Sequence, residues 1–368
     1  MRIGIILTGD YSWAGGVYYS LNIIKLLHTI SLTEKLTIVV IVNSGTPEEL
    51  INELPKENIE LSYLDKRSFI YRLWHKLKND RFVADINALN LDVIYPLIAY
   101  APSHSKLNCK AFYWMYDLQH KFLPELFSTE EIKSRDKMFE DMAANSSAIV
   151  FSSHDSKGHF EKFFANSKAN KLVYNFVSLI DRGVNEAVTK SFNLPSAYFI
   201  VCNQFWPHKN HMVVLKALDH LIKEKKKIHI VFTGRFDDIR NKKYVDELKG
   251  FIAEKQLSNY ITLTGFISRK DQISLIKNAK AVLQPSFFEG WSTVVEDAKA
   301  LNKFLIISEI SVNREQVKTN VLFFKPEDHL QLSNHLSKLT DDETNGIQFN
   351  YAQNIEQSKQ DLIKLFNI

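Results

Sequence analysis

Short β-branched runs punctuate this chain, and the gaps between them have helical spacing. RIGIILT (2–8), LTIVVIV (36–42), DVIYP (92–96), KAFYWM (110–115) and SAIVF (147–151) are apolar on both faces, as strands inside a parallel sheet must be. Amphipathic stretches such as VYYSLNIIKLLHTI (17–30) and EEIKSRDKMFEDMAA (130–144) lie between them. The series then restarts with YFIVCN (198–203), IHIVFT (228–233), YITLTG (260–265), AKAVLQP (279–285) and FLIIS (304–308). Val214, Leu215, Leu218, Leu221 and Ile222 mark a helix after the first of these. Two successive strand–helix series predict an α/β protein of two doubly wound, Rossmann-like domains. Their expected extents are 1–180 and 193–350, joined within 178–197, where periodicity fades and Pro195 reopens a strand. Residues 351–368, with apolar Ile355, Leu362, Leu365 and Phe366, read as a closing helix that crosses back to the N-terminal domain.

A length of 368 residues suits two cores better than one. The formal charge of +4 is too small to argue for a nucleic-acid partner. Cys109 and Cys202 stand far apart, which excludes a disulfide framework and a cysteine-rich zinc site and fits a reducing compartment. The apolar run near the N-terminus is too short for a signal peptide, and no later run approaches ~18 residues, so a cytoplasmic protein is expected. Any membrane contact would be peripheral, at the inner face of the cytoplasmic membrane. DKRSFIYRLWHKLKNDRF (65–82) places Phe69, Ile70, Leu73, Trp74 and Leu77 on one helical face. Lys66, Arg67, Arg72, Lys76, Lys78 and Arg81 cover much of the rest, so residues 66–81 read either as a helix lying on an anionic bilayer or as a packed helix with a solvated basic face.

Ligands of open α/β sheets bind beyond the carboxyl ends of the strands, so the informative loops follow strands, and with two sheets the cleft between the domains is the default site. After the first strand, Gly15-Gly16 precedes a helix, either as an anion site built from free N–H groups or as a tight turn. The spacing is not the G-x-G-x-x-G of a dinucleotide fold, which argues against a nicotinamide enzyme. In CNQFWPHKNHMVVLKAL, Lys209 stands just before a helix with Asn210 as N-cap, placed either to meet a diphosphate or simply to be solvated. His208 and His211 read as surface or capping residues, since nothing completes a metal set around them.

SFFEGWSTVVEDAKALNKFLIIS (286–308) holds two carboxylates beside a strand-to-helix turn. Thr293-Val-Val-Glu296 matches a capping box, with Glu296 turning back to a backbone N–H. That accounts for Glu296 but not for Glu289, a charge before a glycine at the mouth of a strand-end loop. The alternative is a pair of carboxylates receiving sugar or ribose hydroxyls, with the Ser292 and Thr293 amides turned to phosphate oxygens. A metal pair is disfavoured, because no D-x-D occurs.

EGWSTVVEDAKAL, preceded by LQPSFF and followed by FLIISEI, resembles the E-x7-E region of retaining glycosyltransferases of family 4, which have the GT-B fold. NQFWPHKNH, TGRFDD, LTGFISRKDQISLIKNAKAVLQPS and WMYDLQHKFLPELFS are similar to stretches of its bacterial members. The resemblance covers nearly the whole chain and is densest from Asn203 to Glu315. It implies metal-independent transfer of a sugar, with retained configuration, from a nucleotide-sugar donor to a glycan or lipid-linked acceptor in surface-polysaccharide assembly. No cofactor is implied, the nucleotide-sugar being a substrate.

The resemblance gives Lys209 the donor phosphates, Glu289 the hydroxyls of the transferred sugar, Glu296 the ribose, and Ser292 and Thr293 the diphosphate. Two departures stand out. Glu289 and Glu296 are separated by six residues rather than seven, and the family's arginine five places before the lysine is here Gln204, with Arg235 after the next strand to compensate. Tyr116 stands where many relatives carry a histidine, which leaves Asp117 and His120 for acceptor positioning or sugar contact; otherwise His120 is a satisfied surface histidine. Rival readings on the same scaffold are a nucleotide-sugar epimerase, a phosphorylase (disfavoured for want of a pyridoxal-binding lysine context) and a nucleotide-sugar-binding protein or inactive partner subunit.

Overall fold

The computed structural model describes residues 1–7, 13–64, 81–180, 187–236, 242–341 and 349–368. The basic amphipathic stretch expected over 65–82 therefore lies outside the described residues except for Arg81 and Phe82.

Among the described residues thirteen strands form two sheets: β1 (Arg2–Ile6), β2 (Thr37–Val42), β3 (Ile59–Tyr63), β4 (Val93–Leu97), β5 (Lys110–Met115), β6 (Ala148–Phe151), β7 (Asn170–Val173), then β8 (Phe199–Cys202), β9 (Ile230–Thr233), β10 (Ile261–Leu263), β11 (Ala281–Gln284), β12 (Phe304–Ser308) and β13 (Val321–Phe324). The first sheet has the order β3-β2-β1-β4-β5-β6-β7 and the second β10-β9-β8-β11-β12-β13. All pairings are parallel. Each sheet is doubly wound, its connections running outward in both directions from a central strand pair, β1/β4 in one and β8/β11 in the other.

The ten expected strands are present. The three that sequence patterning did not single out, β3, β7 and β13, each lie at a sheet edge. Edge strands carry polar residues on an open side, and β3 (IELSY) and β7 (NKLV) lack the two-faced apolar run of central strands.

The chain divides into two compact units, residues 1–179 with 352–368, and residues 180–351. In the first, Tyr19 stacks on Trp114 with ring centroids 3.9 Å apart, and Tyr95 meets Phe366 edge-on at 5.8 Å. The helix Tyr351–Phe366 thus buries its apolar residues Leu362 and Phe366 in the unit that begins with β1. Ser358 on this helix also donates to the Tyr174 hydroxyl at 2.9 Å.

Gly15 and Gly16 do not precede the first helix but sit inside its opening turn, since it spans Ala14–Ser31. A Cβ at Gly16 would lie 2.7 Å from the Trp13 ring, so the glycine lets that indole fold back on the helix; a Cβ at Gly15 would meet nothing. Trp13 also stacks on Trp114 at 5.4 Å.

Candidate functional site

In the second sheet the strand order reverses between β8 and β11, the place where open α/β sheets hold ligands beyond the strands' carboxyl ends. Three strand-end segments converge there. β8 runs into Asn203 and Gln204, and a short helical turn, Pro207–Lys209, follows. β9 runs into Gly234 and Arg235, and β11 into Ser286 and Glu289. Gly234 has φ +130°, and a Cβ on it would lie 2.3 Å from the Asn203 carbonyl oxygen. Backbone cannot retreat from such a contact, so only glycine lets the β8 and β9 loops close up here.

Lys209 Nζ donates to Glu289 Oε1 at 2.7 Å, joining residues 80 apart in sequence. Both side chains are largely shielded, at 15% and 9% exposure. The loops are further tied by the Phe287 N–H, which donates to the His208 carbonyl at 2.8 Å. Gln284, fully buried at the end of β11, donates from Nε2 to the same Glu289 oxygen at 2.7 Å. Gln204 accepts the Arg235 N–H on its side-chain oxygen at 3.0 Å, so it holds the β9 loop in place. The Arg235 guanidinium lies over the Phe266 ring at 5.3 Å.

Asn210 caps the next helix, His211–Lys223, in the left-handed region (φ 54°) and makes no side-chain cap bond. Its amide instead donates to the Pro285 and Pro326 carbonyls, fastening the loop to two neighbouring segments. His211 is buried rather than at the surface, stacked on Phe205 at 4.3 Å. Burial, reinforced by the nearby Lys209 charge, pushes its pKa down to about 3, so its ring is neutral at physiological pH.

Glu296 departs from the capping-box expectation. The helix Thr293–Ala300 is capped by Ser292, whose hydroxyl accepts the Val295 N–H at 3.3 Å. Glu296 is fully buried, and its carboxylate accepts from Lys299 Nζ (2.8 Å), Gln316 Nε2 (2.9 Å) and the Tyr351 hydroxyl (2.7 Å). Gln316 also takes up the Ser292 backbone, accepting its N–H at 3.1 Å, so that amide already has a partner. Thr293, the first helical residue, has no intrahelical acceptor for its N–H. Lys209, Glu289 and Gln284 thus meet in one cluster, whereas Glu296 belongs to a separate buried network.

Sequence reasoning also missed Asp297. Seven residues separate it from Glu289, which is the family spacing that Glu296 fails to meet. Asp297 is fully buried and gripped by both terminal nitrogens of Arg269, the first residue of the helix Arg269–Asn278. Counting seven rather than pairing the two glutamates would have found it. Gln284 carried a fainter signal, as a polar residue closing the apolar run AKAVLQP.

In the other unit, Asp117 and His120 are joined through Arg135. Arg135 Nη2 donates to Asp117 Oδ1 at 2.7 Å and Nε donates to His120 Nδ1 at 3.2 Å, while His120 Nε2 faces Asp136 Oδ1 at 2.9 Å. His120 is buried rather than at the surface. Burial, aided by Arg135, lowers its pKa. With Nδ1 accepting, its proton resides on Nε2 and both nitrogens are engaged, so it has none to offer a ligand. Asp117 Oδ1 also accepts the Gln119 N–H at 3.0 Å, whereas Oδ2 takes no hydrogen bond from a described residue.

Among the described residues no three His, Cys, Asp or Glu side chains gather as a metal site, and no helix is long and apolar enough to cross a membrane.

Residues 186–360 match the family model described as "Glycosyl transferases group 1". The chain is 27% identical over 157 residues to the O-antigen chain mannosyltransferase RfbU of Salmonella typhimurium, an alignment covering 41% of each protein, so it spans less than half the length of that curated relative. Among solved structures, sucrose-phosphate synthase from Thermosynechococcus elongatus superposes with a TM-score of 0.70 at 15% identity, over 100% of this chain and 99% of that one. Anabaena Alr3699/HepE, solved with UDP and glucose, matches with the same TM-score, identity and coverage. A glycosyltransferase from Rickettsia africae matches at 0.62 and 19% identity, over 99% of this chain and 94% of that one. Two parallel sheets of seven and six strands with flanking helices, matched over these lengths, make the fold GT-B.

Proposed function

We propose that this chain is a retaining glycosyltransferase that moves a sugar from a nucleotide-sugar donor to a glycan or lipid-linked acceptor in surface-polysaccharide assembly. The observation that carries the reading is the meeting of Lys209 and Glu289 at the reversal point of the second sheet. The match of residues 186–360 and the partial likeness to an O-antigen mannosyltransferase support it.

In this reading the sugar's anomeric C–O bond breaks and the departing nucleoside diphosphate gains negative charge. Lys209 retains two N–H donors beyond the one given to Glu289, and they meet that charge together with Arg235 and the Thr293 amide. Glu289 receives a hydroxyl of the transferred sugar. The acceptor hydroxyl attacks from the face the diphosphate leaves, and its proton passes to the leaving phosphate oxygen, which retains configuration. Charge neutralisation rests on these side chains, so no resident metal enters the scheme. We assign acceptor contact to Asp117 rather than His120, and place the enzyme in the cytoplasm.

The test is release of nucleoside diphosphate from a panel of nucleotide-sugars, with and without glycan acceptors and with a chelator present. Turnover is expected to survive chelation and to fall by about 100-fold or more in Glu289→Gln and Lys209→Ala. Wild-type rates in both variants would remove the site. Tight donor binding without turnover would favour a nucleotide-sugar-binding protein.

A further inference from the structure

Glu289 is held asymmetrically. Both of its partners, Lys209 Nζ and Gln284 Nε2, reach Oε1 at 2.7 Å, and Oε2 takes no hydrogen bond from a described residue. We propose that Gln284 is the positioning residue of this carboxylate: with Asn203 it forms a buried amide relay across the carboxyl ends of β8 and β11 that fixes which oxygen of Glu289 meets the hydroxyl of a ligand sugar. The proposal rests on the transferase reading and deepens it at the same site.

The geometry leaves the relay little freedom. A carboxylate can only accept, so Gln284 must turn its NH2 toward Glu289 and its carbonyl away. That carbonyl meets Asn203 Nδ2 at 3.1 Å, which in turn sets the Asn203 amide, whose oxygen faces Gln284 Nε2 at 3.4 Å. Ser286 Oγ, fully buried, gives Gln284 Nε2 a further acceptor at 3.2 Å. Gln284 is fully buried and Asn203 is 6% exposed, so water cannot substitute for either amide without entering the core. A bare apolar strand end would leave Glu289 tethered only by the flexible Lys209. Lys209 must also serve the diphosphate, and its pull on Glu289 changes when it does. Gln284 is neutral and rooted in a central strand, so it holds Oε1 whatever Lys209 is doing.

The experiment compares wild type with Gln284→Leu, Gln284→Glu and Asn203→Leu. It measures kcat and KM for the donor found by the panel, the kcat–pH profile, and the thermal shift produced by uridine and guanosine diphosphates. Gln284→Leu is expected to lower kcat by about 10- to 100-fold, the scale of a misplaced reacting group, with donor KM and the diphosphate shift nearly unchanged. Gln284→Glu keeps the size but sets a second acid against Glu289, so the acid limb of its kcat–pH profile should move to higher pH. Asn203→Leu should give a smaller loss, and combining it with Gln284→Leu should add little. Folded variants with wild-type kcat and an unmoved pH profile overturn the relay while leaving the transferase reading intact. A wild-type protein that releases no diphosphate from any donor overturns that reading and the relay with it.

Discussion

His211 shows how a single residue near the site reports on its surroundings. Its ring is sealed against Phe205 and kept neutral by burial, with a pKa of about 3 against 6.5 in the unfolded chain. Between those two values the unfolded state binds the extra proton, so stability is complete above pH 6.5 and is lost as pH falls toward 3, by up to ~1.4 kcal/mol per unit. Denaturant titrations from pH 7 to pH 4 should show this slope in the wild type. His211→Leu should flatten the His211 share of it, at the cost of a lower midpoint at pH 7. His211 reads in the sequence as a surface or capping residue and His120 as either an acceptor-side contact or a satisfied surface histidine, because a polar side chain on a loop gives no sign that aromatic rings will enclose it. Though not foreseen as partners, Glu289 and Lys209 were each legible as candidates, because each breaks an otherwise ordinary strand-end loop. Their partner Gln284 was not, since one amide at the end of an apolar run looks like the start of a turn.

At the level of elements, the helix Thr293–Ala300 shows why a local motif misleads. Thr293 to Glu296 has the spacing of a capping box, yet Ser292 does the capping and Glu296 points into a buried network. Glu296→Gln would strand the Lys299 ammonium, itself 6% exposed, beside the Gln316 carbonyl and the Trp291 and Tyr351 rings. The expected cost is about 3 kcal/mol, well beyond the ~1 kcal/mol of a lost cap, and is readable as a drop in denaturation midpoint. A true capping box sits elsewhere, at Ser128 and Glu131, opening the helix Thr129–Asn145. Ser128→Ala should cost about 1 kcal/mol without touching either carboxylate network. The same contrast governs the strands. Central strands announce themselves through two apolar faces, while the edge strands β3 and β7 meet one neighbour and carry Glu, Ser, Asn and Lys; the apolar edge strand β13 (VLFF) is not explained this way.

Across the whole molecule, the two-series pattern made the α/β class and two sheets legible, because repeated strand–helix alternation has few packing solutions. Less legible was how firmly the helix Tyr351–Phe366 belongs with the unit that begins with β1. Phe366 lies beside Tyr95 and Phe112, and Leu362 is fully buried. Phe366→Ala should therefore cost about 3 kcal/mol, and protease cleavage sites within residues 1–179 should become accessible before those within 180–351.

That arrangement has a consequence for how the protein is made. A ribosome finishes residues 1–179 first, yet their core still lacks Leu362 and Phe366 until residues 180–351 have also emerged. The unit translated in the middle, contiguous in sequence, is free to condense as a whole while the earlier one waits with an open apolar seam. Nascent chains stalled near residue 350 should therefore recruit chaperones at the first-made half, and release only once the final turns of helix are threaded home.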